Sequence, residues 1–288
     1  MSAMLFPRAA VVGIGLIGGS FALAAREAGL VGHVTGVARS EATRRGALDI
    51  GAADEATADA AEAVARADLV YLAAPVKSIC EALGTLGPHL QPGALVTDAG
   101  SAKVAIVEAA QALPAEVTFI GGHPMAGSEQ AGIAAARADL FAGCNYFLTP
   151  EAQTRPEALK KLENLISGLG AQPMVVDAAR HDRLVAITSH LPHLLAWALC
   201  AVAGESGDPA ELAPFVAGAW RDTTRIAGSS PELWAEIFRA NAGNLAALVE
   251  RFAEELREAE EALAGGAGGR LVELLAAARE IRERIAES

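Results

Sequence analysis

His123 stands between glycines and ahead of a proline, in the run from Gly121 to Gly127. Imidazole titrates near neutral pH, so it can take or give a proton under working conditions. Val117 to Ile120, just before it, is apolar and β-branched and reads as a strand. Glycine and proline oppose a smooth continuation, so a turn is expected at Gly121, with His123 at the strand's carboxyl end. Ligands of open α/β sheets bind on that edge. Asp98, Ser101 and Lys103 follow another strand-like run, Ala94 to Thr97. Ser101 either caps a helix or points its hydroxyl at the same edge as His123. Farther on come His181 and Asp182, then His190 and His193, three apart with Pro192 between them. That spacing puts the last two on one helix face, with a kink at the proline. Arg221 and Arg225 are four apart, and arginine is the residue for two-pronged carboxylate binding. The plainer readings are a core histidine at each His and an exposed ion pair at Arg221. No cysteine or E-x-x-H pattern accompanies the histidines, so no metal is assigned.

The second constellation is Gly13, Gly15 and Gly18 in G-x-G-x-x-G spacing, with Leu16 and Ile17 inside it. It follows the apolar run Ala9 to Val12 and opens a helix that Gly29 would stop, which is the context that gives the motif meaning. Such glycines let backbone amides approach a pyrophosphate at a helix N-terminus. Gly13, Gly15, Leu16, Ile17 and Gly18 are therefore the candidate cofactor contacts, and Gly19 and Ser20 extend the small-residue surface. The strand Val34 to Val37 leads to Ala38, Arg39 and Ser40, where an NAD site carries Asp or Glu for the ribose 2′-hydroxyl. Ala38 cannot accept that bond. Arg39, helped by Ser40, Thr43 or Arg44, suits a 2′-phosphate. NADP is favoured and NAD remains possible.

Strand-like runs alternate with helical ones up to about Asp177, which predicts an α/β fold with a Rossmann-type, doubly wound parallel sheet. Beyond it the chain is rich in Ala, Leu and Glu and reads as an all-helical domain. The expected domains are 1–177 for dinucleotide binding and 178–288 for substrate binding and dimerisation. A single helix from an N-cap at Ser230 to about Ala264 would be about 50 Å long. Along it Trp234, Phe238, Asn241, Leu245, Leu248 and Phe252 recur in steps of four and three. That seam is either an intrachain core face or a homodimer interface.

Composition bounds the partners. The chain has 288 residues, 52% of them hydrophobic, and a net charge of −12. Such charge repels phosphate backbones and argues against nucleic acid. Cys80, Cys144 and Cys200 are scattered and form neither a disulfide framework nor a zinc motif. No signal peptide and no run of about 18 apolar residues is expected, which points to a cytoplasmic protein without membrane spans.

Together these residues resemble the prephenate/arogenate dehydrogenase family of tyrosine biosynthesis. The resemblance rests on Gly13 to Ser20, Asp98 to Lys103, Gly122 to Gly127, His181-Asp182, Ser189 to His193 and Arg221 to Arg225, in that order. It implies an NAD(P)-dependent oxidative decarboxylation of a cyclohexadienol that carries a ring carboxylate. His123 would be the base for the substrate hydroxyl and Ser101 would share that hydrogen bond. Arg225 and His193 would bind the substrate, with Gly218 and Trp234 lining its pocket. A histidine at position 193 tilts the expectation toward prephenate or both substrates, and Ala38 toward NADP. Two other readings stay open: a two-domain dehydrogenase of the β-hydroxyacid type, and a dinucleotide-sensing module without turnover.

Overall fold

The computed structural model describes residues 4–127, 130–265 and 268–286. The first strand, β1 (Phe6–Val12), alternates Ala9 and Val11 toward one buried layer with Ala10 toward another. Both faces are apolar, as expected for a strand in a sheet covered on both sides. There follow α1 (Leu16–Glu27), β2 (Val31–Val37), α2 (Glu41–Asp49), β3 (Glu55–Thr57), α3 (Ala60–Val64), β4 (Leu69–Leu72), α4 (Val76–Leu86), β5 (Leu95–Asp98) and α5 (Val104–Ala110). Then come β6 (Thr118–Pro124), β7 (Asn145–Thr149), α6 (Pro156–Gly168) and β8 (Gln172–Val175). The strands make one sheet in the order β3-β2-β1-β4-β5-β6-β7-β8. One layer of the core packs Phe21 of α1 and Leu162, Leu165 and Ile166 of α6 against it; the other packs Ile79 and Leu83 of α4 and Ile106 of α5. Each such side chain, fully buried, contributes about 1.5–3 kcal/mol. Gly29 and Gly51 adopt the positive φ that ends α1 and α2.

The doubly wound parallel sheet expected from the sequence is present, with one reversal. β1 to β6 are parallel, but β6 and β7 pair antiparallel, from Gly121 opposite Thr149 to Pro124 opposite Tyr146, and β8 runs parallel to β7. The reason lies in the connection. Among its described residues the segment between β6 and β7 holds only a 3-10 turn, Ile133–Ala135, and no helix that would carry the chain back to the other end of the sheet. The segment instead rests on the first helices. Ile133 and Ala136 occupy the space into which a side chain on Gly19 would project, and Ile133 also abuts Gly46. The backbone N–H of Arg137 donates to the Ser20 hydroxyl at 3.0 Å. Gly19 and Ser20 are thus buried in this contact. β3, a three-residue edge strand, has no counterpart in the sequence reading.

After β8 the chain is helical: α7 (Ala178–Val185), a π-helical turn over Ala186–His190, α8 (Leu191–Ser206), α9 (Pro209–Leu212), α10 (Gly218–Thr224), α11 (Pro231–Ala240), α12 (Ala242–Ala264) and α13 (Gly268–Ala286). The π-helical turn lies just before Pro192, the proline at which a kink is expected from the sequence. Ala178–Ser206 is one helical stretch long and apolar enough, by length and composition, to cross a membrane, which corrects the expectation that no such run exists. The single helix expected from Ser230 to Ala264 is two helices. Ser230 caps α11, accepting from Leu233 N, but Asn241, at φ −123° and ψ 30°, interrupts the course. Asn241 is buried, and its amide finds partners on the stretch 182–190 that a regular helix would not let it reach.

Candidate functional site

The turn expected at Gly121 is absent: β6 runs on through His123 to Pro124, and His123 pairs with Phe147 of β7. The ladder here is completed by side chains. The Asp98 carboxylate accepts from Gly122 N at 2.9 Å and from Gly100 N at 2.7 Å. Lys103 donates its ammonium to Asp98 and, at 2.7 Å, to Gly122 O. Both side chains are fully buried. The residue before His123 is therefore held at its N–H and its C=O by an ion pair from the end of β5. Burial pushes the Lys103 ammonium down, opposed by Asp98 beside it.

His123 meets the helical half through α7. Its Nδ1 lies 2.8 Å from Nε2 of His181, and Nδ1 of His181 lies 2.8 Å from the Asp182 carboxylate. That carboxylate also accepts from Lys103 N at 2.7 Å and Val104 N at 2.9 Å, so a residue of α7 caps α5 from outside. Ser101 is not that cap: α5 begins at Val104, and no side chain of its own segment closes it. Ser101 sits partly buried in the turn between Asp98 and Lys103. Asn241 donates to Asp182 O at 2.7 Å and lies 3.1 Å from His190 Nδ1. His190 meets Trp234 edge-on, and Trp234 stacks on His193 with ring centroids 3.4 Å apart. His193 bonds the Ser189 carbonyl through Nδ1 at 3.0 Å and feels the charge of Arg225. One continuous path of contacts thus joins His123 to Trp234 and His193, and the charge of Arg225 reaches His193. Gly218 opens α10 on the exposed side, where an added Cβ would meet only the Asp222 carboxylate.

Charge in this cluster is set by burial. His123 is held well below the ordinary imidazole value by desolvation first, then by His181, Lys103 and His190. Desolvation likewise carries His190 down to about 4 and lowers His193. His123 is therefore neutral at pH 7 and able to accept a proton.

The glycine loop has the shape a dinucleotide needs. Gly13 has φ +95°, and a Cβ there would run into the carbonyl of Ala73 on the neighbouring strand connection. Gly15 is the N-cap of α1 with open space around its Cα, and no side chain caps the helix. The helix start at Gly15, Leu16 and Ile17 is partly exposed and so accessible to an anion, while Gly18 is buried against Gly13 and Val11. At the end of β2, Arg39 and Ser40 are exposed and Thr43 is partly so. Ser40 caps α2, and the Arg44 guanidinium holds the turn by donating to Ala38 O at 2.8 Å and Arg39 O at 2.7 Å.

The sequence reading gave no role to His181, Asp182, Lys103 or Asn241. The adjacent His181-Asp182 pair was the visible sign, because a carboxylate beside an imidazole is a common way to orient it.

Two family models match the chain. Residues 21–175 match the family model described as the prephenate dehydrogenase nucleotide-binding domain, and residues 177–277 the prephenate dehydrogenase dimerization domain. The chain is 36% identical over 254 residues to the prephenate dehydrogenase of Bacillus subtilis, covering 87% of this chain and 68% of that one. Its structure is similar to that of prephenate dehydrogenase from A. aeolicus in complex with hydroxyphenyl propionate and NAD+, with a TM-score of 0.90 and 30% identity over 99% of this chain and 100% of that one. The Synechocystis arogenate dehydrogenase gives 0.82 and 33%, over 96% and 99%.

Proposed function

The chain belongs to the prephenate dehydrogenase family, and we propose that it oxidatively decarboxylates prephenate, arogenate or both for tyrosine formation, with His123 as the base. What supports this reading is His123 itself: it is anchored through Nδ1 to His181, burial holds its imidazole below the ordinary value, and it lies near the carboxyl end of β6, the same end of the parallel strands at which the glycine loop leaves β1. A nicotinamide, when bound, supplies the acceptor for the hydride leaving the carbinol carbon. His123 takes the hydroxyl proton on Nε2 as the carbonyl forms, and the Ser101 hydroxyl shares that hydrogen bond. Arg225 pairs with the substrate carboxylate. His193, stacked on Trp234, presents its remaining nitrogen to the substrate's side chain. Gly218 leaves room at the pocket wall. Loss of CO2 then makes the ring aromatic, which drives the sequence forward.

Within a nicotinamide-dependent reaction we place NADP ahead of NAD. Ala38 offers no carboxylate to a ribose 2′-hydroxyl, while Arg39 is exposed at that turn with its carbonyl pinned by Arg44. We take 1–177 as the dinucleotide domain and 178–288 as the substrate and dimer domain of a cytoplasmic homodimer. Trp197, Leu199 and Val202 of α8 and Phe215 after α9 are exposed apolar groups in the segment that matches the dimerization domain, and a second copy would cover them. On this reading the apolarity of Ala178–Ser206 serves packing on both sides rather than a bilayer.

The test is initial rates at 340 nm for prephenate and arogenate with each cofactor, in the wild type and in His123→Asn. Turnover of at least one substrate is expected, with kcat reduced on the order of 10²–10⁴-fold in the variant. Cofactor binding without turnover of either substrate would overturn the enzyme reading. A variant with wild-type kcat would overturn His123 as base.

A further inference from the structure

We infer that His181 and Asp182 form a positioning pair that fixes the tautomer of His123 and leaves its Nε2 bare for the substrate proton. The inference rests on the reading of His123 as the base. It begins at Asp182, whose ionised carboxylate can only accept hydrogen bonds. Both its oxygens are already oriented by the N–H groups of Lys103 and Val104 at the start of α5. Its backbone is pinned as well, since Asn241 donates to its carbonyl. The carboxylate therefore has no freedom to turn away from His181, whose Nδ1 is 2.8 Å from it. The hydrogen in that contact must sit on His181 Nδ1. A neutral His181 ring then has its lone pair on Nε2. That nitrogen lies 2.8 Å from His123 Nδ1, and only one hydrogen fits between two nitrogens at this distance, so His123 supplies it. His123 thus carries its hydrogen on Nδ1, and Nε2 is the proton acceptor. Without the pair, either nitrogen of His123 could hold the hydrogen, and a ring protonated on Nε2 cannot act as a base there.

The surroundings fit this role. His181 is almost wholly buried, with the Phe147 ring edge-on to it at 5.5 Å, so water does not compete for its nitrogens. In the reaction the proton moves from the substrate hydroxyl to Nε2 of His123 while the Nδ1 hydrogen stays in place. The resulting imidazolium keeps a hydrogen-bond acceptor in His181, whose ring is polarised by Asp182.

Two variants separate orientation from mere packing. His181→Phe keeps a flat ring but removes the acceptor. His181→Gln places an amide oxygen near the position of the former Nε2 and can accept from His123 Nδ1. The expected result is a kcat loss on the order of 10²-fold in His181→Phe, with KM for substrate and cofactor affinity little changed, and recovery to within about tenfold of wild type in His181→Gln. Equal losses in both variants, or none in His181→Phe, would overturn the inference. Ring 15N spectra of the histidine-labelled full-length protein with cofactor bound give a readout independent of turnover. They should show His123 protonated on Nδ1 in the wild type and a mixed population in His181→Phe. A wild-type His123 protonated on Nε2 would overturn the inference even if His123→Asn is inactive. The predicted tautomer together with an active His123→Asn would instead overturn the base assignment alone.

Discussion

Lys103 is a fully buried cation, and replacing it with methionine isolates what its charge does. Methionine fills the space of the alkyl stem, so packing changes little. What disappears is the ion pair with Asp98 and the hydrogen bond to Gly122 O. The Asp98 carboxylate would stay buried with only the N–H groups of Gly100 and Gly122 as partners. Breaking a buried pair from one side costs about 3–5 kcal/mol, because the remaining charge is uncompensated. With a urea m-value near the top of the usual range, about 3 kcal/mol/M, the midpoint of Lys103→Met should fall by about 1–1.7 M. Asp98→Asn in the same background removes the stranded charge, so the double variant should be more stable than the sum of the single losses by about 1–3 kcal/mol. Urea unfolding of the four proteins, followed by far-UV circular dichroism at pH 7.5, measures the cycle. A loss below about 1 kcal/mol in Lys103→Met, or additivity within about 0.5 kcal/mol, would refute the view that this pair holds the strand end before His123.

Two further outcomes follow from the same cluster. Because desolvation, His181, Lys103 and His190 depress His123, kcat/KM should stay flat as pH falls through 6.5 and decline only well below it; an acid limb centred at 6.5 or higher would contradict the placement of the base. His123 and His190 both have folded values below those of the unfolded chain, so below about pH 6.5 the unfolded state binds more protons, and stability should fall progressively toward pH 4 in urea titrations. For the cofactor, Arg39→Ala should lower the ratio of kcat/KM for NADP over NAD by on the order of tenfold or more, the scale of a lost charge-assisted hydrogen bond; an unchanged ratio removes Arg39 from the 2′-phosphate site.

Much of the first half was legible because its signals are local. The apolar runs before Gly13 and Pro75 become β1 and β4, and the glycines at 29 and 51 stop helices where they stand. The reversal at β7 was not read, although the segment after Pro124 lacks a helical period, which is the condition for it. The break at Asn241 was hidden by an apolar period that continues unbroken on either side. Its cause is an amide bonded to residues 59 and 51 positions away, which no local pattern records. The site divides in the same manner. His123, Ser101 and the glycine loop were visible as residue types at meaningful spacings. The anchoring of His123 was not, because Asp182 reaches α5 from 79 positions along the chain.

The seat of Ile133 on Gly19 changes how damage to the glycine motif should be diagnosed. Gly18 and Gly19 are neighbours in sequence yet answer to different parts of the molecule. A side chain on Gly18 would strike Gly13 of the glycine loop and Val11 of β1 beneath it, whereas one on Gly19 would strike Ile133 and Ala136 of the segment that leaves His123. A Gly19→Ala enzyme that loses turnover while still holding its dinucleotide would therefore be no paradox. The lesion would lie in the return path from β6, and only its address would be in the glycine motif.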